Sequence, residues 1–381
     1  MNATATMMRL VSFLTALDRW LLAAIVLLGI LGLLNLAALP GPALFLKQSI
    51  FIAAGFILFA GFALFDYRIL RSTPLVGMAV WGSGVGLLAL VALIGEAVRG
   101  AQNWIYLGPI SIGPIEIVKL GSLLMLAHYF AREHRGLVFP GRVALSALAV
   151  IVPITFAFLQ PDLGAVALLA MLWFGSVLIL RIPLRTVVAI VLLVIFAATF
   201  AWGTLLHDYQ RARVLAFLHP QDDPLGAAYQ SRQAIVAVGA GGLTGRGIFA
   251  EDLISRLSFL PESSTDFAFS AIVERTGFFG ALLMLSAFAV ILWRIGRVAI
   301  RATNNFSCAY AIGLLVLLAS EISLHVGMNL GMIPVSGLPL PFVSYGGSHL
   351  LTTFAALGIL ESIRLHQPGF VRSDRDASAE L

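Results

Sequence analysis

Charged residues are scarce in this chain of 381 residues: they make up 11% of it, whereas 60% of the residues are hydrophobic. Soluble domains carry about 25% charged residues. A chain with so little charge cannot cover a water-facing surface with polar groups, so lipid must surround most of it. This composition excludes the soluble classes of protein. It predicts an all-α polytopic membrane protein with a single membrane domain over residues 1–366.

Cysteine is almost absent, and the basic residues are dispersed. Cys308 is the only cysteine, which excludes a disulfide framework and a cysteine metal site. The formal net charge is +5, but the basic residues sit in short loops between apolar runs, as the positive-inside rule produces. The charge therefore does not predict a nucleic-acid partner. The glycine-rich stretch 239–247 lacks a following Gly-Lys-Ser/Thr sequence, which favours a close-packing turn over a nucleotide site.

Long apolar runs are what the chain has in abundance. Runs of about 20 apolar residues predict membrane-spanning helices. Ten such spans are predicted, at 20–39, 48–66, 75–94, 115–131, 142–159, 164–180, 186–205, 267–293, 306–327 and 346–363. Residues 367–381 are polar and charged and are expected to form a disordered cytoplasmic tail.

The positions of Lys and Arg predict the orientation of these spans. Most basic residues of the short loops fall on one side, and only Lys47 and Arg99 fall in the short loops of the other. This bias predicts an inner-membrane protein with both termini in the cytoplasm. The segment 206–266, between the seventh and eighth spans, then lies outside the cell. A loop of that length in a compact protein usually has a function.

Several ionisable side chains lie within or beside the predicted spans, where burial is costly unless the group is paired or faces water. Glu116 and Lys119 are three residues apart and therefore share a helical face. They form either a self-neutralising structural pair or part of a polar cavity, which Asp162 extends. Further ionisable residues in the eighth and ninth spans are Glu274, Arg275, Glu321 and His325. Together these residues predict a water-accessible pocket inside the bundle.

Asp266 stands where the long loop enters the eighth span, five residues after Pro261. Its spacing from the apolar run favours a helix N-cap, for which Asp is among the best residues. A carboxylate at a membrane–water boundary, above a polar pocket, is also well placed to act as a general base. Both interpretations remain open at the level of the residues.

Two further segments bear on the pocket. Residues 331–347 combine prolines and glycines within an apolar stretch. Irregular backbone at membrane depth is tolerated only where protein or a cavity shields it, so this loop is expected to fold back into the bundle. Trp104 and Tyr106, before the fourth span, are interpreted as interfacial aromatic anchors or as pocket residues.

Three motifs resemble those of the SEDS family (RodA, FtsW and the sporulation homologue). They are the stretches 160–164, 260–267 and 334–347, which read Gln-Pro-Asp-Leu-Gly, Leu-Pro-Glu-Ser-Ser-Thr-Asp-Phe and Pro-Val-Ser-Gly-Leu-Pro-Leu-Pro-Phe-Val-Ser-Tyr-Gly-Gly. The resemblance extends from about residue 18 to 363. The motif from Asp223 to Gln233 is more similar to RodA than to FtsW. This chain departs from the family pattern at Asn103, Gly113, Ile115, Ala240, Arg275 and His325.

The resemblance implies a peptidoglycan glycosyltransferase that polymerises lipid II into glycan strands at the outer face of the inner membrane, for cell elongation and shape. Asp266 corresponds to the family's proposed catalytic residue. The family's pocket positions correspond to Trp104, Glu116, Lys119 and Asp162. Motif residues that extend the candidate pocket are Glu262, Thr265, Ser344 and Tyr345.

The implied reaction needs a base for the incoming hydroxyl and positive charge for the departing diphosphate. Asp266 is the candidate base. The candidate cations are Lys119, Arg211, Arg213 and Arg246, or a divalent ion, Mg²⁺ or Mn²⁺, held by Asp266. No organic cofactor is expected.

The implied partners are a class B penicillin-binding protein, which acts as the transpeptidase, and other membrane proteins of the elongation complex. Three alternatives remain open: an FtsW-like septal polymerase, a lipid II flippase and a scaffold. A flippase is favoured by charges spread through the bilayer midplane. Here the strongest cluster lies towards the predicted outer side, beneath a long loop, which favours chemistry there.

Overall fold

A computed structural model of the protein describes residues 13, 15–94, 104–107, 110–132, 140–179, 183–204, 206, 208–219, 227–248 and 262–367. We number its main elements in chain order. They are α1 Arg19–Ala37, α2 Ala43–Leu64, α3 Tyr67–Ser72, α4 Pro74–Ile94, β1 Ile105–Leu107, β2 Ile110–Ile112, α5 Pro114–Arg132, α6 Pro140–Leu159, α7 Leu163–Ile179, α8 Leu184–Thr204, α9 Asp208–Leu218, α10 Ala227–Gly241, α11 Ala268–Ile300, α12 Asn305–Asn329 and α13 Gly347–Leu365.

Each of the ten predicted spans coincides with one of these helices. Eight described helices are long and apolar enough to cross a membrane; α7 and α13 are not among the eight. The chain is therefore a multi-pass membrane protein of mostly helical structure. The total of ten spans stays a prediction.

The long segment 206–266 has structure of its own. Two helices, α9 and α10, form much of its described part. A small exception to the all-helical prediction is the antiparallel hairpin of β1 and β2, in which Ile105 pairs with Ile112 and Leu107 with Ile110. The predicted tail lies outside the described residues except for Gln367.

The helices pack around α1, α5, α11, α12 and α13, whose apolar side chains form the core. Tyr310 and Leu314 of α12 are fully buried, and Leu357 of α13 is too. Gly121 lets α5 approach α4 closely, since a Cβ there would lie 2.5 Å from the Cα of Trp81. Small residues at contacts of this kind are the usual way in which membrane helices pack.

A buried ion network fastens three helices at the end of the bundle where α1 begins. Asp18 caps α1 by accepting a hydrogen bond from the backbone N–H of Leu21, and it also pairs with Arg294 of α11. The backbone N–H of Asp18 donates to Glu361 of α13 at 2.9 Å, and Glu361 pairs with Arg364 at 2.7 Å. Each buried charge thus has an opposite partner, as burial requires.

Helix α11 is interrupted at Gly277, whose backbone is left-handed with φ of 68°. The glycine-rich turn after α10 fills this interruption: the N–H of Phe278 donates to the carbonyl of Gly242 at 2.9 Å. A Cβ on Gly277 would lie 2.3 Å from the backbone nitrogen of Gly245. The predicted close-packing turn is confirmed, and α11 is the surface on which it packs.

Candidate functional site

Asp266 lies just before α11, and a side chain of α12 fixes its backbone. The amide Nδ2 of Asn329 donates to the carbonyl of Asp266 at 2.9 Å, while its Oδ1 accepts from the N–H of Ser270 at 3.0 Å. Phe267 occupies the N-cap position. The prediction that Asp266 is the helix cap is therefore wrong by one position, because the helix begins at Ala268. The Asp266 side chain is partly exposed.

The turn that carries Asp266 is held from two directions by residues distant in sequence. Asn35 of α1 donates to the carbonyl of Ser263 at 3.1 Å. The hydroxyl of Ser344 donates to the carbonyl of Thr265 at 2.6 Å, and the N–H of Tyr345 donates to the carbonyl of Ser264 at 2.8 Å. The described part of the 260–267 motif and the 334–347 motif are thus joined, through the hydroxyl of Ser344 and the backbone N–H of Tyr345.

The 334–347 loop folds into the bundle, as expected. Leu340 and Val343 are fully buried, and Gln48 of α2 donates to the carbonyl of Ser344 at 3.2 Å. A Cβ built on Gly337 would lie 3.8 Å from Oδ2 of Asp266. The loop therefore forms one wall beside the candidate catalytic carboxylate.

Within the same turn, Thr265 and Glu262 are paired. The Thr265 hydroxyl donates to Oε2 of Glu262 at 3.0 Å, and both side chains are partly exposed. Glu262 adopts a left-handed backbone with φ of 58°. Such backbone is uncommon for residues other than glycine and is typical of tight turns near functional sites.

The predicted Glu116–Lys119 pair is confirmed and belongs to a larger cluster. Nζ of Lys119 lies 2.7 Å from Oε2 of Glu116 and 2.7 Å from Oε1 of Glu321. Nδ1 of His349 lies 3.1 Å from Oε2 of Glu116. These four side chains are buried and come from three helices, α5, α12 and α13. One ammonium group thus lies between two buried carboxylates and pairs with both.

The space beside this cluster is small. A cavity of about 20 Å³ is lined by Glu116, Lys119 and Glu321 together with leucine and threonine side chains. That volume holds roughly one water molecule. Oε2 of Glu321, which lines the cavity, has no hydrogen-bond partner among the described residues, so a water here would have a polar group to bind. The sequence predicted a water-accessible pocket inside the bundle, and the space that the structure describes beside Glu116 and Lys119 is this small cavity.

Asp162 lies in the tight turn between α6 and α7, close to the same region. Its carboxylate accepts a hydrogen bond from the N–H of Ala165 at 2.9 Å. Burial raises the pKa of the Asp162 carboxyl, while the N–H of Ala165 and the positive charge of Lys119 act in the opposite direction. A Cβ built on Gly164 would lie 2.5 Å from the carbonyl oxygen of Ser336. The 334–347 loop therefore contacts both the Asp162 turn and Asp266.

Trp104 lies at the entrance to α5. A Cβ built on Gly113 would lie 3.2 Å from its indole ring, and the N–H of Gly113 donates to the hydroxyl of Ser348 at 3.2 Å. Trp104 is 38% exposed. It is thus attached to the helix that carries Glu116 and Lys119, and its ring remains accessible. Of Tyr106, the structure describes the strand position but not the side chain.

The candidate arginines are placed differently from one another. Arg246 lies 3.6 Å from Glu274 and so belongs to the contact between the glycine turn and α11. Arg211 on α9 donates to the carbonyl of Gly203 at 3.4 Å, and its Nε has no hydrogen-bond partner among the described residues. Arg213 on the same helix is exposed, and its charge lowers the pKa of Asp162 against the effect of burial.

Some residues of the site were missed by the sequence reasoning. His349 joins the Lys119 cluster, and the amides of Asn35, Gln48 and Asn329 hold the Asp266 turn and its neighbouring loop. The signal was present, because each is a polar side chain within or next to an apolar run. His325, in contrast, is a structural residue whose Nδ1 lies 2.7 Å from the carbonyl of Leu338.

Arg275 of α11 is hydrogen-bonded to Asn35, one of the residues that hold the Asp266 turn. Its Nη1 donates to Oδ1 of Asn35 at 2.6 Å and to the Asn35 carbonyl at 2.7 Å. Asn35 in turn holds Ser263, so Arg275 is linked to the Asp266 turn through one intervening side chain. Arg275, one of the positions where this chain departs from the family pattern, thus orients the side-chain amide of Asn35.

The described residues contain no group of three or more His, Cys, Asp or Glu side chains that would hold a metal ion. A divalent ion at Asp266 would therefore take most of its ligands from substrate phosphates and water. Mg²⁺ is commonly bound in this way, through one or two carboxylates. The single carboxylate of Asp266 fits the role of one protein ligand to such an ion.

The family model FtsW/RodA/SpoVE, described as a cell cycle protein, matches residues 7–368. Peptidoglycan glycosyltransferase MrdB of Escherichia coli (strain K12) is 37% identical over 284 residues, which are 74% of this chain and 75% of MrdB.

Two solved structures resemble the fold. A chain from the work "Structural coordination of polymerization and crosslinking by a peptidoglycan synthase complex" matches with a TM-score of 0.77 and 30% identity, covering 92% of this chain and 99% of that one. The crystal structure of the rod shape determining protein RodA of Thermus thermophilus matches with a TM-score of 0.68 and 28% identity, covering 92% and 98%. Sequence and fold agree over nearly the whole chain.

Proposed function

The chain belongs to the FtsW/RodA/SpoVE family, and from this membership we propose that it is a peptidoglycan glycosyltransferase that polymerises lipid II into glycan strands, in the manner of RodA. The relative MrdB is named a peptidoglycan glycosyltransferase. The observation that carries the proposal is a partly exposed carboxylate, Asp266, on a turn held from both sides by buried polar side chains. Such support gives a catalytic group a fixed position.

In the proposed reaction, Asp266 accepts the proton of the 4-hydroxyl group of one lipid-linked disaccharide. The hydroxyl oxygen forms a bond to the anomeric carbon of a second one, and the bond from that carbon to undecaprenyl diphosphate breaks. General-base assistance of this kind is typically worth about 10²–10⁴ in rate. The diphosphate departs with both electrons of the broken bond.

Positive charge is needed where the diphosphate departs. We propose Arg211 and Arg213 of α9 for this role. The Nε of Arg211 lacks a partner among the described residues, and Arg213 is exposed near Asp162. Lys119 is engaged by two carboxylates and Arg246 by Glu274, which favours structural roles for both. A divalent ion on Asp266 would supply additional charge to the leaving group.

The proposed site of action is the outer face of the bacterial inner membrane, with both termini in the cytoplasm. The proposed partner is a class B penicillin-binding protein acting within the elongation complex. A similar chain is found in a peptidoglycan synthase complex that couples polymerization and crosslinking. That likeness supports the proposal of a crosslinking partner.

The test is gel analysis of the full-length protein, purified with its penicillin-binding partner and given labelled lipid II. The Asp266→Asn variant should lose at least about a hundredfold in polymerisation rate, because the amide cannot accept the proton. Asp66→Asn is the matched control, since Asp66 caps α3 away from the site and Asn caps equally well. Full activity of Asp266→Asn would contradict the assigned base. If the protein moved lipid II from one leaflet of a vesicle membrane to the other and formed no glycan ladder, a flippase would be supported instead.

A further inference from the structure

A second cavity lies at the opposite end of the bundle from Asp266. We call it the basal cavity; it measures about 520 Å³, and its lining includes Arg71, Ser72, His128, Arg132, Asn304 and Asn305. We infer that the basal cavity binds the phosphodiester headgroup of an anionic membrane lipid, with Arg71 and Arg132 as its cationic ligands.

The position of the basal cavity in the membrane follows from two helices, α5 and α12, which run from the cavity towards the Asp266 end of the bundle. Helix α5 runs from Glu116 in the buried cluster to Arg132 at the basal cavity, a distance of about 24 Å at 1.5 Å per residue. Helix α12 runs from Asn305 at the cavity to Asn329 beside Asp266, about 36 Å. The hydrocarbon layer is about 30 Å thick. The basal cavity therefore lies at the headgroup level of the other leaflet, which the arginine distribution predicts to be cytoplasmic.

The charge of the lining selects an anion. None of the lining residues in the described part of the chain is acidic. Arg71 and Arg132, both exposed, form no ion pair with any residue that the structure describes. Buried arginines at the same end behave differently, since Arg294 pairs with Asp18 and Arg364 with Glu361. The two cavity arginines thus offer guanidinium groups, which match the geometry of phosphate oxygens.

The surroundings favour a lipid over a soluble anion. Next to the cavity in sequence, Ile69 is 49% exposed and Leu75 is 70% exposed. At the edge of a bilayer such side chains contact acyl chains, while the neighbouring arginines reach the phosphate. Basic pockets between membrane helices on the cytoplasmic side are known to hold anionic headgroups. The volume is also within the range of small-molecule sites.

The test is native mass spectrometry of the full-length protein in neutral detergent, titrated with short-chain phosphatidylglycerol or short-chain phosphatidylcholine. The variant Arg71→Gln/Arg132→Gln should bind phosphatidylglycerol at least about tenfold more weakly. The matched control is Arg19→Gln/Arg185→Gln. It removes the same charge from exposed positions at the starts of α1 and α8, outside the cavity. Its affinity should stay at the wild-type value.

A second variant addresses the cavity itself. Ser72→Trp fills the space and keeps both arginines; because Ser72 is exposed, the fold should tolerate it. Because the filled cavity cannot admit the headgroup, Ser72→Trp should abolish the preference for phosphatidylglycerol over phosphatidylcholine. Equal loss of affinity in the control pair, or unchanged binding in Ser72→Trp, would overturn the proposal. Displacement by inorganic phosphate at similar concentration would overturn the lipid assignment in favour of a free anion. Displacement by a synthetic peptide of residues 368–381 would overturn it in favour of an acidic segment.

Discussion

Lys119 is the buried residue that joins two carboxylates from different helices. It is the single ammonium group between Glu116 and Glu321, at 2.7 Å from each. Lys119→Met would leave two carboxylates buried without their cation. Breaking a buried ion pair in this way typically costs about 3–5 kcal/mol. We expect a marked fall in the midpoint of thermal unfolding, measured in detergent.

The matched control removes the charges together. The triple variant Glu116→Gln/Lys119→Met/Glu321→Gln keeps similar volumes and leaves no uncompensated ion, so much of the lost stability should return. A Lys119→Met protein as stable as the wild type would show that the two carboxylates do not need their shared cation.

The sequence predicted the pairing of Glu116 with Lys119 but not the contacts that Glu321 and His349 make with them, and the reason is physical. Glu116 and Lys119 share a helical face because they are three residues apart, so their pairing was predictable. Glu321 and His349 reach them from other helices, at sequence separations of about 200 residues or more. Which helical faces meet depends on packing, and a single sequence does not encode that in any local pattern.

At the scale of elements, the interruption of α11 at Gly277 is a point of contact between two segments. The glycine turn after α10 lies directly against the helix backbone there, since a Cβ on Gly277 would lie 2.3 Å from the nitrogen of Gly245. Gly277→Ala should destabilise the protein by at least about 2 kcal/mol, because the left-handed backbone and the nearby Gly245 nitrogen both exclude a Cβ. Thermal unfolding would measure the loss.

Gly296 lies in the same helix and provides the control. A Cβ there meets nothing within 4 Å. Gly296→Ala should therefore be neutral or stabilise by about 1 kcal/mol, because Ala is the better helix former. Similar destabilisation by both substitutions would show that the interruption has no special role.

The helices themselves were the best-predicted elements, because an apolar run of membrane length is a local signal. Helices α9 and α10 were not predicted, since their sequences are too polar to appear as spans. The cap at Asp266 was misplaced by one residue, because the tight turn around Glu262 extends as far as Phe267. Helix ends depend on such turns, and apolar patterning does not reveal them.

At the scale of the whole molecule, the predicted orientation can be measured directly. With Cys308→Ser as background, Thr303→Cys and Thr204→Cys place single exposed thiols at the two ends of the bundle. A membrane-impermeant maleimide should label Thr204→Cys in intact spheroplasts and Thr303→Cys only after permeabilisation, as the arginine bias requires. The reverse pattern would contradict the predicted topology.

The order in which the chain is synthesised gives the support of Asp266 a further consequence. The turn around residues 262–266 rests on Ser344 and Tyr345, and the Lys119 cluster is completed by His349. All three supporting residues follow α12 in the chain. A nascent chain that ends before residue 344 would carry Asp266 without the hydrogen bonds that Ser344 and Tyr345 donate to its turn. The turn and the cluster therefore take their final structure only after residues 344–349 have been synthesised and have packed against them.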